Sequence, residues 1–70
     1  MPIKTIQIRD EFITLGQLLK TADLVSTGGE TKIFLMSNQI LINNELDNRR
    51  GRKLYKGDLI EINHQIYKIC

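Results

Sequence analysis

The stretch Thr14-Leu15-Gly16-Gln17-Leu18-Leu19-Lys20-Thr21-Ala22, followed shortly by Thr27-Gly28-Gly29-Glu30, decides the fold. Leu15, Leu18, Leu19 and Ala22 fall at i, i+3, i+4 and i+7, which is one apolar stripe along a helix. Thr14 and Gln17 have capping-box spacing: the hydroxyl accepts from the third helical N–H while the amide reaches back. The pattern predicts a helix over 14–22. Gly16 weakens it by up to about 1 kcal/mol relative to Ala and is read as tolerated there rather than required for a close approach. Leu24-Val25-Ser26 makes a short connection. Thr27 and Glu30 repeat the capping-box spacing and open a second helix, expected to end at Asn38 or Gln39 with Ile33, Phe34 and Met36 facing inward. Two capped helices joined this closely make a helical hairpin.

Outward from the hairpin the period changes from helical to alternating. Upstream, Pro2 to Arg9 reads as a short strand with Ile6 and Ile8 on one side. Downstream, Ile40 and Ile42 flank Leu41, and Asn43-Asn44-Glu45 supplies a turn in which Asn suits positive φ. Leu46 resumes the strand pattern briefly. Lys56-Gly57-Asp58 is a second turn, Leu59 to Asn63 a strand with Ile60 and Ile62 on one face, and His64-Gln65 or their neighbours turn the chain into a last strand over 66–69. Phe34 is expected in the core and Tyr67 in the sheet. The order strand, helix, helix, then three or four short strands defines an α+β fold, with helices packed on a small antiparallel sheet.

The chain has 70 residues, room for a single domain over 1–70. A chain of this size buries only about 60% of the surface it exposes when unfolded. Its core is drawn from eleven Ile and nine Leu, with one Val and four aromatics. No apolar run is long enough to span a membrane, and the N-terminus lacks the charged-then-apolar layout of a signal segment. One cysteine, Cys70, leaves no internal disulfide or cysteine metal cluster, which suits a reducing cytoplasm. His64 stands alone in a turn, and neither Asp10-Glu11 nor Asp58 has a partner pattern for acid–base work. The expectation is a non-enzyme without catalytic residues, metal, cofactor or small-molecule substrate.

Charge is unevenly placed. Arg49, Arg50, Arg52, Lys53 and Lys56 put five cations into eight positions with no acid among them, while the other sixty-two positions carry five bases and eight acids. A net charge of +2 therefore conceals an acidic-to-neutral body with one basic loop and a local positive potential. Three arginines in four residues suit planar, bidentate contact with phosphate or carboxylate.

Two short helices, a strand ending in Ile42-Asn43-Asn44-Glu45, a basic stretch and Gly57-Asp58-Leu59-Ile60-Glu61-Ile62 together resemble the RNA-binding domain named after small-subunit ribosomal protein four, the S-four domain, whose helical pair is the alpha-L motif. The resemblance runs from Phe12 to about Ile62, with Thr31-Lys32 matching the family's small-then-basic pair. Thr14 to Lys20, Gly28-Gly29-Glu30 and Asp47 to Leu54 look most like its stand-alone bacterial YaaA-like branch. Where many members carry Arg-Leu-Asp at the first helix and Arg near the start of the second, this chain has Thr14-Leu15-Gly16 and Gly28-Gly29. The loop 49–53 is expected to compensate.

The resemblance implies a structured RNA partner, ribosomal or tRNA-like, or a ribosomal particle, and no membrane. The residues expected to carry binding are Arg49, Arg50, Arg52 and Lys53, assisted by Lys56, Lys32, Lys20 and the helix start at Gly28-Gly29, where N–H groups can receive a phosphate. Tyr55 can stack a base. Exposed aromatics are otherwise scarce, which favours shape and phosphate recognition over single-strand stacking. Five phosphate contacts correspond to a log–log salt slope of roughly −4. Two alternatives stand beside this one: an adaptor whose basic loop meets an acidic protein, and a duplex-DNA binder in replication or repair.

Overall fold

The computed structural model describes residues 3–70 and shows the α+β arrangement: β1 (Ile3–Ile6), β2 (Phe12–Thr14), α1 (Leu15–Thr21), α2 (Gly28–Ser37), β3 (Ile40–Ile42), β4 (Glu45–Leu46), β5 (Lys53–Tyr55), β6 (Leu59–Ile62) and β7 (Gln65–Ile69). Pro2, where the first strand was expected to open, lies outside the described residues.

The first helix follows its local signals at both ends. Thr14 Oγ1 accepts from the Gln17 N–H at 3.2 Å, and the Gln17 side chain accepts from the Thr14 N–H at 3.1 Å. At the other end Ala22 is the C-cap and Asp23 takes a left-handed φ of 62°. The Asp23 N–H donates to the Lys20 carbonyl and the Leu24 N–H to the Leu19 carbonyl, a double closure in which glycine usually holds the left-handed position. The second cap forms by half. Thr27 Oγ1 accepts from the Glu30 N–H, whereas the Glu30 carboxylate reaches one residue further back and accepts from the Ser26 N–H.

The inward face of α2 differs from the expectation. Thr31 and Leu35 are buried and Phe34 packs against the core, but Ile33 and Met36 are 65% and 75% exposed. Ile33-Phe34-Leu35-Met36 is apolar almost all the way round the helix, so periodicity cannot set its phase. The phase is set by Thr31, whose hydroxyl donates to the Thr27 carbonyl at 3.1 Å and so enters the core satisfied.

Five strands form one sheet in the order β1-β7-β6-β3-β4. All its neighbours are antiparallel except β1 and β7, which pair in parallel from Ile3↔Ile66 to Ile6↔Ile69. No hairpin turn joins β1 to β7, so nothing local imposes the antiparallel sense expected for the whole sheet. Two-residue turns at Asn43-Asn44 and Asn63-His64 have positive φ at both positions, the twist that matches antiparallel strands. The last strand accordingly starts at Gln65. Five strands follow the helices rather than three or four, because Lys53–Tyr55 pairs with Phe12–Thr14 in a second, two-stranded ribbon. The core lies between helices and sheets and contains Leu15, Leu18, Leu19, Leu35, Ile40, Ile42, Leu54, Ile60, Ile62 and Ile69. No helix among the described residues is long and apolar enough to cross a membrane.

Candidate nucleic-acid interface

The basic loop leaves β4 and returns as β5. Its path is fixed at three points. The Asp47 N–H donates to the Ile40 carbonyl, the Gly16 N–H to the Arg50 carbonyl and the Leu15 N–H to the Arg52 carbonyl, each at 2.9–3.0 Å. The first ties the start of the loop to β3, and the other two hold it against the first turn of α1, where the N–H groups have no partner within the helix. Gly16 thus has a neighbour that its sequence context does not show: a Cβ built there would lie 3.4 Å from the Arg50 carbonyl oxygen and 3.6 Å from Thr31 Cγ2.

Asp47 organises the loop's side chains. Its carboxylate accepts from the backbone N–H and the Nε of Arg49 through Oδ1, and from Arg49 Nη2 and Arg52 Nη1 through Oδ2 at 2.9 and 2.7 Å. The Asp47 side chain is only 8% exposed, while that of Arg49 is 72% exposed. Hydrogen bonds from the Arg49 side chain, then from its backbone, and a further one from Arg52 outweigh burial and hold the Asp47 carboxyl far below the usual carboxylate range. The same contact raises the Arg49 pKa. The acid-free run 49–56 is therefore partly offset by a carboxylate just upstream, which sequence reading of the run alone did not connect to it. A fork–fork pair of this kind sets the orientation of the planar guanidinium as well as its charge.

The expected residues divide between two neighbouring grooves that share Gly51. Arg50, Lys20, Gly28 and Gly16 line one of about 280 Å³ between the starts of the two helices. Arg50 also borders a further hollow of about 330 Å³ with Lys32. Arg49, Arg52, Lys53 and Tyr55 line the other groove, of about 630 Å³, together with Asn43 and Asp58. Gly28 has open space around it, with nothing within 4 Å of a Cβ position. Gly29 is exposed beside it, and Lys56 stands exposed in the turn after β5; neither lines the two grooves. The expected cations thus line two adjoining grooves and a side hollow, with Lys56 outside all three.

The floor of the larger groove is tied together by side chains. Asn43 Oδ1 accepts from the Leu59 N–H and its Nδ2 donates to Asp58 Oδ1, while Asp58 Oδ2 accepts from the Tyr55 N–H at 2.8 Å. The β3–β4 turn and the turn at Gly57, which has φ +97°, are locked to each other in this way. Phe12 is a residue that sequence reading passed over. It lies opposite Tyr55 in the β2–β5 ribbon, with ring centroids 5.9 Å apart, and Lys53 Nζ stands 5.0 Å from its ring centroid. Among the described residues no group of three or more His, Cys, Asp or Glu could hold a metal ion.

A helical pair with a cationic loop fastened to its N-terminal side, set on a small sheet, is the arrangement of the S4 domain, and the chain belongs to that family: the family model matches residues 6–70. A similar protein is the probable ribosome maturation protein RlbA of Bacillus subtilis (strain 168), 58% identical over 57 residues, which cover 81% of this chain and 80% of that one.

Proposed function

We propose that this protein is a non-catalytic RNA-binding module that docks on structured RNA of the ribosome or of a ribosomal particle during its maturation. The observation that carries the reading is the fastening of the loop by Gly16 and Leu15 to the first turn of α1, which sets Arg50, Lys20 and the open helix start at Gly28 around one groove. Phosphates of a folded RNA fit such a surface, because it offers fixed cations and backbone N–H groups without needing to read base edges. Arg49, Arg52 and Lys53 extend it into the adjoining groove, with Lys32 and Lys56 adding charge at the margins. Family membership and the ribosome-maturation name of the Bacillus relative support RNA and the ribosome as the setting, and hence the cytoplasm.

Gel-shift competition at two salt concentrations tests the reading, with structured ribosomal RNA, duplex DNA and an acidic polymer of equal charge as competitors. Structured RNA is expected to compete best at both concentrations, and crosslinking in cells is expected to recover ribosomal RNA. Equal competition by all three reduces the surface to plain electrostatics and overturns the assignment. Preference for duplex DNA or for the acidic polymer moves it to a different partner class.

A further inference from the structure

We propose that the β2–β5 ribbon and the groove beside it seat one unpaired nucleotide of the bound RNA, with its base stacked on Tyr55. This rests on the RNA-binding reading above and names the part of the RNA that the ribbon receives.

The ribbon's pairing decides which side chains face out. Ile13 and Leu54 lie opposite each other and are buried, so the flanking pairs Phe12↔Tyr55 and Thr14↔Lys53 turn to the other face. Phe12 is half-buried and Tyr55 is 48% exposed, with the two rings tilted at 53°. Phe12 therefore backs Tyr55, and Tyr55 presents the ring. The Tyr55 backbone is held by Asp58 Oδ2, and its ring rests against that of Phe12.

The surroundings are those a nucleotide needs. Arg49 and Arg52 border the same groove and are already oriented by Asp47, and Lys53 projects from the same face of β5 as Tyr55. An aromatic face takes any base, and the adjacent cations take its phosphate. The groove's volume, about 630 Å³, is that of a small-ligand site, whereas a duplex keeps its base faces stacked within itself and offers none to Tyr55. One presented ring admits one base. The chemistry thus selects an unpaired nucleotide, such as a bulge, next to a helix whose phosphates lie along the α1–α2 groove.

The test uses the full chain and two RNA hairpins that share one stem sequence and one stably stacked tetraloop, the first with a fully paired stem and the second with a single 2-aminopurine bulged from that stem. The parent protein is expected to bind the bulged hairpin about ten-fold more tightly and to change the fluorescence of its 2-aminopurine as the base moves onto the ring. Tyr55→Leu is expected to bring the two affinities together, while Tyr55→Phe keeps the preference; thermal melts establish that both variants are folded. Equal binding of the two hairpins by the parent overturns the nucleotide site and leaves the RNA reading standing. A preference that survives Tyr55→Leu, or is lost in Tyr55→Phe, also overturns it. Binding of neither hairpin overturns the RNA reading and this site with it.

Discussion

The Gly16 N–H donates to the Arg50 carbonyl at 2.9 Å, so the central arginine of the cationic loop is fastened through its backbone to the first turn of α1. The side chain of Arg50 is left free to border the groove between the helices. A methyl group at position 16 would make ordinary contact with the Arg50 carbonyl at 3.4 Å and would favour the helix by up to about 1 kcal/mol. Gly16→Ala is therefore expected to leave the melting temperature unchanged or raise it. A clear fall would mean that the loop and helix are packed more tightly than these contacts describe.

Asp23 occupies the left-handed position that closes α1, with φ 62°. A side chain there costs on the order of 1 kcal/mol relative to glycine. Asp23→Gly should raise stability in urea denaturation by about that amount, since both closing hydrogen bonds are made by backbone groups.

Asp47 links acidity to stability. Its folded pKa is depressed by Arg49 and Arg52, so its contribution is fully present above the unfolded carboxylate pKa, about 4, and is lost as pH falls towards the folded value. Asp47→Asn should be less stable than the parent at pH 7, with the gap narrowing at pH 3. Urea midpoints at the two pH values measure this; a gap of equal size at both would show that the charge is not what stabilises the loop.

Leu35 and Met36 are neighbours on α2 with opposite surroundings, 6% and 75% exposed. Leu35→Ala should cost about 2–5 kcal/mol, whereas Met36→Ala and Ile33→Ala should each stay within about 0.5 kcal/mol. Equilibrium denaturation of the three variants fixes the phase of the helix.

What could be read from the sequence was local. The α1 stripe, its Thr14–Gln17 box and the positive-φ turn at Asn43-Asn44 each lie within a few residues, and each forms where it was expected. The β2–β5 ribbon pairs Phe12 with Tyr55 across most of the chain, and Leu54 is an isolated apolar residue inside a basic stretch, so nothing local announces a strand. For α2, four consecutive apolar residues erased the periodicity, and a threonine took a core position through its own hydrogen bond. At the interface, the cations stood out as a cluster, but their division between two grooves depends on Asp47 drawing Arg49 and Arg52 one way while Gly16 holds the Arg50 backbone. A carboxylate two and five residues ahead of arginines was the available signal.

The most direct test of the central claim, that the fastened loop grips RNA phosphates, is the salt dependence of RNA binding by the combined variant Arg49→Ala, Arg50→Ala, Arg52→Ala, Lys53→Ala. None of these side chains lies in the apolar core, but the variant strips the buried Asp47 carboxylate of both its arginines, so Asp47→Asn is added to remove the unpaired charge and a thermal melt establishes the fold. Its affinity for structured RNA should fall by at least about 100-fold at moderate salt, and its log–log salt slope should flatten by roughly 3 to 4, one phosphate contact per lost cation. Parent-like affinity and slope in a folded variant would contradict the account.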